Sequence, residues 1–246
     1  SFIFNGLFSI NYLIVIFYYY YIKKNSRYLM DAVISVEEIE VLLSLSTIGI
    51  IRDDVVLPEL TKEVKLEVVD LKHPLLPNNV CISNNFSTTS GINVITGSNM
   101  GGKTSFIRTI GINLILMNAG TFVCASSFKC CYLKIFTSIR IEDNISEGIS
   151  TFYAELLRIK KALDFNGNKI VLIDEIFKGT NYKDRIYGAK EVIKKLDNKE
   201  TILFITTHDF ELCDIENKNI HNYHFKEFYK NDKINFDYKI KKGKCN

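Results

Sequence analysis

The sequence has little excess charge of either sign and no C-x-x-C cysteine pair. Its 31 basic and 28 acidic residues leave a net charge of +3, which is too small to indicate nucleic-acid binding by itself. None of its six cysteines belongs to a C-x-x-C pair. This argues against a zinc site or a disulfide framework and favours thiols in a reducing cytosol. We therefore expect a cytoplasmic protein.

The first apolar segment, residues 2–22, carries no charge and is followed by "KKNSR". That is the minimum signature of a membrane helix, but it is equally consistent with a long helix that protein covers on both sides. Asn5, Asn11 and four consecutive tyrosines suit lipid poorly. A cleaved signal peptide is not expected, because no basic region precedes the segment and no small-residue cleavage site follows it. Residues 31–48 have the apolar spacing of an amphipathic helix.

After Pro58 the chain changes character, and short β-branched runs alternate with helical stretches. This alternation predicts an α/β fold with a mainly parallel core sheet. The predicted helices cover 103–118, 150–165 and 182–196, and the tail is expected to form a hairpin that turns at "KNDK". The predicted strands are "KLEVVDL", "VCISNNF", "INVIT", "KIVLID" and "TILFITT".

The stretch "GSNMGGKTS" between a strand and a helix fits G-x-x-x-x-G-K-[ST]. Glycines let a loop turn tightly and aim its N–H groups at phosphates, and the start of the next helix adds a positive end. Lys103 is expected to reach the outer phosphates of ATP, and the Thr104 hydroxyl to complete a Mg²⁺ shell. The predicted nucleotide-binding residues are Gly97, Ser98, Asn99, Met100, Gly101, Gly102, Lys103, Thr104 and Ser105.

Two later strands end in further candidate groups. "KIVLIDE" ends in an acidic pair at the edge where α/β sheets bind ligands. We expect Asp174 to hold Mg²⁺ and Glu175 to orient the attacking water. An isolated acidic pair can also cap a helix, but its place some 70 residues after a phosphate loop favours catalysis. His208 follows "TILFITT" and is predicted to sense the γ-phosphate.

The helix predicted from residue 150 opens with Ser150 and Thr151. A serine at a helix start can bind an anion or can simply cap the helix. Local sequence alone favours the cap.

Taken together, these elements resemble the ATPase domain of the MutS family, a branch of the ABC-type ATPases. "TGSNMGGKTS" is similar to that family's "TGPNMGGKST", "IDEIFKGTN" to its "LDELGRGTS", and "TTHDFEL" to its "ATHYFEL". "GTFVCAS", "STFYAEL" and "LKHPLL" also resemble family segments. The likeness covers nearly the whole chain and is dense from about 70 to 215.

The resemblance implies a P-loop ATPase of ABC type at 59–246, preceded by a helical remnant of the core and lever region at 1–58. It also implies that Ser150 belongs to the signature motif and reaches the γ-phosphate held by the opposite protomer, which replaces the capping interpretation. A head-to-tail homodimer is expected, with ATP and Mg²⁺ as ligands and with DNA bound through other domains of a longer protein.

Several departures from the family limit these expectations. Ser98 replaces a proline, Asn181 replaces a small hydroxyl residue, and no aromatic residue after "HPLL" offers itself for stacking on adenine. The chain contains no glutamine, so a transporter-type Q-loop is absent; Glu142 and Asp143 stand in that region. No mismatch-reading domain is present, so this chain alone is not expected to recognise a mispair.

The main hypothesis is a MutS-like motor domain that couples ATP hydrolysis in a composite dimer site to mismatched-DNA binding. The alternative is a membrane-tethered regulatory ATPase outside mismatch repair, supported only by residues 2–22. The absence of an LSGGQ-type signature argues against an ABC transporter subunit. Glu175, His208 and the lack of an arginine-rich lid argue against a small-molecule kinase.

Overall fold

The structure is a computed structural model that describes residues 10–98, 100–139, 151–230 and 233–244. It divides into two compact units, Ser1–Thr47 and Ile48–Asn246. The division into 1–58 and 59–246 made from the sequence stays a prediction.

The first helix, α1, runs from Ile10 to Ile51 without a break. The sequence suggested two segments, 2–22 and 31–48, but lysine, serine and arginine are tolerated inside helices, so "KKNSR" does not interrupt the helix. None of its side chains is buried. Among the described residues, no helix is both long enough and apolar enough to cross a membrane.

The second unit contains three further helices and twelve strands among its described residues. The helices are α2 (Lys103–Asn118), α3 (Thr151–Asp164) and α4 (Tyr182–Leu196). A short 3₁₀ helix covers Phe210–Asp214. The strands are β1 (Glu59–Leu60), β2 (Lys65–Leu71), β3 (Asn84–Thr89), β4 (Gly91–Thr96), β5 (Ser127–Cys130), β6 (Lys134–Ser138), β7 (Lys169–Asp174), β8 (Thr201–Thr206), β9 (Ile220–His224), β10 (Glu227–Lys230), β11 (Lys233–Phe236) and β12 (Lys241–Lys242).

The central sheet has six strands in the order β12-β9-β4-β8-β7-β6. All neighbours are parallel except β12, which pairs antiparallel with β9. A second sheet, β1-β5-β2-β3, is mainly antiparallel, and β10 and β11 form the predicted hairpin. The mainly parallel core sheet is therefore confirmed.

Both faces of the central sheet are buried, which explains why its strands are continuous apolar runs. Side chains alternate between faces along a strand. Ile170 and Leu172 pack into a cluster with α2 and the second sheet, whereas Val171 and Ile173 pack into a cluster with α3 and α4. The sheet thus holds its helices in fixed positions and aligns the carboxyl ends of β4, β7 and β8, where Asp174 lies opposite Thr206.

Candidate nucleotide and catalytic site

The loop between β4 and α2 turns through backbone conformations that favour glycine. Gly97 and Gly102 have φ angles of 135° and 106°, and Met100 also has a positive φ, 73°. A Cβ atom on Gly97 would lie only 2.5 Å from the Phe225 carbonyl oxygen. Glycine is therefore required at position 97 both by the backbone angle and by the close approach of the neighbouring chain. The predicted Asn99 lies outside the described residues.

Lys103 begins α2 and folds back over this loop. Its side chain is buried, and Nζ donates to the carbonyl oxygens of Gly97 at 2.7 Å and Ser98 at 2.9 Å. Nζ also lies 3.3 Å from His208 Nε2. The ammonium is thus held at the mouth of the loop, where phosphate oxygens can bind it.

The loop also contains an unsatisfied polar atom. Ser98 Oγ is buried and has no hydrogen-bond partner among the residues that the structure describes, and a buried hydroxyl without a partner is costly. A Cβ on Gly101 would lie 3.2 Å from the Ser98 carbonyl oxygen, so the loop is tightly wound. An unsatisfied hydroxyl inside a glycine-rich loop fits the binding of a polar anionic ligand. The residues present therefore fit a bound phosphate chain.

Thr104 and Asp174 meet at the carboxyl edge of the sheet. Thr104 Oγ1 lies 2.9 Å from both carboxylate oxygens of Asp174, and Thr206 Oγ1 donates to Asp174 Oδ1 at 2.6 Å. The contacts join the first turn of α2 to the ends of β7 and β8. A hydroxyl and a carboxylate are the oxygen ligands that Mg²⁺ accepts in phosphate sites, so these two residues fit the predicted metal site.

Glu175 follows directly and adopts a left-handed backbone conformation, with φ 55°. Its N–H donates to the carbonyl and hydroxyl oxygens of Thr206 at 3.1 and 3.0 Å, which turns the side chain out of the strand. Oε2 pairs with Lys178 Nζ at 2.5 Å, and Oε1 lies 3.1 Å from His208 Nε2. Burial disfavours the charged carboxylate, but Lys178 and His208 outweigh it and hold the pKa of Glu175 below its usual value.

The residue after His208 is fixed by an ion pair that the sequence did not reveal. The Arg185 guanidinium binds both carboxylate oxygens of Asp209, at 2.7 and 2.9 Å. Arg185 also stacks over the Tyr182 ring, 5.5 Å from its centroid. A bidentate pair of this kind gives geometric precision as well as attraction. It ties the His208 loop to α4, and the only sequence signal was an aspartate next to the histidine.

A second missed contact ties α3 to the segment that follows Glu175. Glu155 is buried and its Oε1 accepts the N–H of Phe177 at 2.9 Å, two residues beyond Glu175. Burial raises the pKa of Glu155, although the hydrogen bond from Phe177 opposes the shift. α3 begins at Thr151, so the predicted Ser150 lies just outside the described residues, as do Glu142 and Asp143.

A cavity of about 320 Å³ opens beside the first turns of α2. One side of it is formed by the loop between β2 and β3, where the large apolar side chains of Leu76, Val80 and Ile82 are left 41, 60 and 43 % exposed. Tyr238, from the segment after β11, supplies an aromatic ring. The sequence alone indicated no aromatic residue for stacking on adenine, because Tyr238 lies far along the chain in a segment without a motif. Ser105 and Gly102 also line the cavity, which makes it continuous with the glycine loop.

The fold thus brings five predicted residues together at one edge of the sheet, namely Lys103, Thr104, Asp174, Glu175 and His208. Met100 is 83 % exposed and its side chain contributes nothing to this cluster. Binding of nucleotide by the loop residues stays a prediction.

Comparison with known proteins gives a consistent result. The family described as MutS domain V matches residues 93–246. The DNA mismatch repair protein MutS of Aquifex pyrophilus is 32% identical over 200 residues, which cover 76% of this chain and 23% of that protein. The chain therefore spans about a quarter of the length of the curated relative that it matches. Because the family match covers more than half of the sequence, the chain belongs to the MutS family through its domain V.

Proposed function

We propose that this chain is the ATP-binding and ATP-hydrolysing domain of a MutS-like protein. One observation carries the proposal: Lys103, the Thr104–Asp174 pair and the Glu175–His208 pair lie together at one edge of the central sheet. MutS family proteins are ATPases, and each part of this cluster has the chemistry that phosphoryl transfer to water needs.

Binding depends on the glycine loop, the start of α2 and Lys103. In the structure Lys103 satisfies its ammonium with two loop carbonyls, and phosphate oxygens offer stronger, charge-assisted partners. The N–H groups at the start of α2 add a positive end that favours the anion. Thr104 and Asp174 would hold Mg²⁺, which when bound neutralises charge on the phosphate oxygens.

Glu175 is the group that acts on water. Its lowered pKa keeps the carboxylate charged at neutral pH, so it can accept a hydrogen bond from water and hold that water in line with the γ-phosphorus. The water oxygen then bonds to phosphorus while the bond to the bridging oxygen breaks; one proton of the water stays on the new phosphate and the other passes to solvent, which yields ADP and phosphate. His208 lies between Glu175 and Lys103 and is placed to contact the γ-phosphate.

We assign the base of the nucleotide to the cavity beside α2. Its apolar walls and the Tyr238 ring suit a flat purine, and Gly102 and Ser105 connect it to the phosphate loop.

The first test is Lys103→Ala. Loss of a charge-assisted contact to phosphate costs roughly 1.5–3 kcal/mol, so the Kd for MgATP should rise about 10- to 100-fold. Calorimetric titration measures it, and Lys190→Ala, an exposed lysine on α4, is the matched control. Unchanged affinity in a folded Lys103→Ala chain would rule out this placement of the nucleotide.

We further propose that the site is completed across a head-to-tail homodimer and that ATP turnover is coupled to mismatched-DNA binding by other parts of a longer protein. The proposal rests on the resemblance that assigns Ser150 to the signature motif. Position 150 directly precedes α3, and α3 is tied to the catalytic edge through Glu155 and Phe177. A signal from the opposite nucleotide can reach Glu175 by that contact.

Mixed dimers test the shared site. Ser150→Ala should bind MgATP almost normally but hydrolyse it poorly. A heterodimer of Ser150→Ala and Lys103→Ala chains has one doubly damaged site and one intact site, so its ATPase rate should exceed that of either variant alone. If heterodimers form and the rate does not recover, each chain works alone and Ser150 is only a helix cap, worth about 0.5–2 kcal/mol of stability.

A further inference from the structure

Arg52 is a buried cation whose hydrogen-bonding capacity is fully used. It follows the last residue of α1 and is only 9 % exposed. A guanidinium has five N–H donors, and the side chain of Arg52 makes five hydrogen bonds. Such complete satisfaction marks a cation that fixes the positions of its neighbours.

Two of the five bonds go to a local counter-ion. Nε and Nη2 donate to the two carboxylate oxygens of Asp54, each at 2.9 Å, and Lys72 Nζ lies 2.9 Å from Asp54 Oδ2. The hydrogen bond from Arg52 holds the pKa of the Asp54 carboxyl well below its usual range. Asp54 therefore stays charged and clamps the guanidinium plane in one orientation.

The other three bonds reach the loop between β2 and β3. Nη1 donates to the carbonyl oxygens of Pro74 at 3.1 Å and Leu76 at 2.9 Å, and Nη2 donates to Asn78 Oδ1. Among the described residues, the hydrogen bonds that reach residues 74–78 from outside this loop all come from Arg52. The remaining ones are local turns, such as Leu76 N–H to the His73 carbonyl oxygen.

This loop forms the outer wall of the cavity beside α2. Leu76, Val80 and Ile82 line that cavity opposite Ser105 and Phe106 of α2. The wall belongs to no strand, since β2 ends at Leu71 and β3 begins at Asn84. Asn113 of α2 holds the Lys72 carbonyl at one end of this loop and Lys239 holds the Ser83 carbonyl at the other, so between residues 74 and 78 the distance of the wall from α2 is set by the guanidinium.

We propose that Arg52 is a positioning residue that determines affinity for the base end of the nucleotide. It does not touch the ligand but holds the wall against which the base packs. The inference rests on the proposed function, because it takes the cavity to be the base site. Lysine cannot replace Arg52, since one ammonium has three donors and no planar fork to span Asp54 and three loop acceptors.

The test compares two ligands that share the phosphate loop but differ in the base. In Arg52→Lys the Kd for MgATP should rise about tenfold, which is a loss of roughly 1.4 kcal/mol of binding free energy. The Kd for magnesium tripolyphosphate should change less than about twofold. Arg27→Lys, an exposed arginine on α1, is the matched control and should change neither value.

Equal weakening of both ligands, or no weakening of either, would overturn the role of Arg52. Failure of the parent chain to bind either ligand would instead overturn the proposed function, so the two failures are distinguishable. If Arg52→Lys does not fold, Asn78→Ala removes one acceptor with the cation kept. Asn78→Ala should also raise the Kd for MgATP more than the Kd for tripolyphosphate, but by less than Arg52→Lys does. An equal rise in both Kd values would again contradict the proposal.

Discussion

Replacing Glu175 by glutamine should lower ATP hydrolysis by about 10²- to 10⁴-fold while MgATP binding stays close to that of the parent. Glutamine keeps the size of the side chain and can still contact Lys178 and His208, but it loses the charge that orients water. Lys103, Thr104 and Asp174 remain in place to hold the phosphates and Mg²⁺. Phosphate release under saturating MgATP measures the effect.

The matched control is Glu63→Gln, because Glu63 is an exposed glutamate beside Val64, which pairs with Ser90 at the amino end of β4, whereas the site lies at the carboxyl end. Its rate should equal that of the parent. A parental rate in Glu175→Gln would show that another group positions the water and that the Glu175–His208 contact serves only the fold.

Gly97→Ala should destabilise the fold strongly, lowering the free energy of unfolding by about 3 kcal/mol or more. The new Cβ adds strain at φ 135° and approaches the Phe225 carbonyl oxygen to 2.5 Å. Since Phe225 belongs to the chain that follows β9, either this backbone or the glycine loop has to move. Chemical denaturation followed by circular dichroism measures the loss.

Gly167→Ala separates the two causes. Gly167 has a similar positive φ, 122°, but the nearest atoms to a Cβ built there, in the Phe165 ring, lie at an ordinary 3.5 Å or more. It should therefore cost only the backbone strain, about 1–2 kcal/mol. Equal losses at the two positions would mean that the packing of Phe225 against the loop does not constrain residue 97.

The motif residues were predictable because their signals are local. α2 and α4 have the predicted bounds of 103–118 and 182–196, and β7 covers "KIVLID" as expected. An apolar run that is followed by a glycine loop and then a helix leaves few alternatives to a buried strand, so the end of the strand and the side chains placed there follow directly.

Other features could not be read from local pattern. The strand predicted at 80–86 begins only at Asn84, because residues 80–82 form the apolar cavity wall instead of pairing. Strands β1, β5, β6, β9 and β12 were not individually predicted, since two- to five-residue strands carry almost no periodicity.

The two inferred determinants of base binding, Arg52 and Tyr238, depend on contacts between distant parts of the chain. Arg52 meets its three loop acceptors more than 20 residues away, and Tyr238 shares the cavity with Leu71 and His73. Composition and spacing contain no information on such contacts, which is why base recognition was the least predictable part of the site.

The most direct measurement of ATP binding and turnover at this sheet edge uses Glu175→Gln with ATP labelled on both the α- and the γ-phosphate. After incubation with Mg²⁺ and removal of free nucleotide, the retained label is counted. We expect equal amounts of α and γ label, up to one nucleotide per chain, and almost none when Lys103→Ala is added to the same chain. No retained label in Glu175→Gln, or loss of the γ label at the parental rate, would contradict the assignment of this sheet edge as an ATP-hydrolysing site.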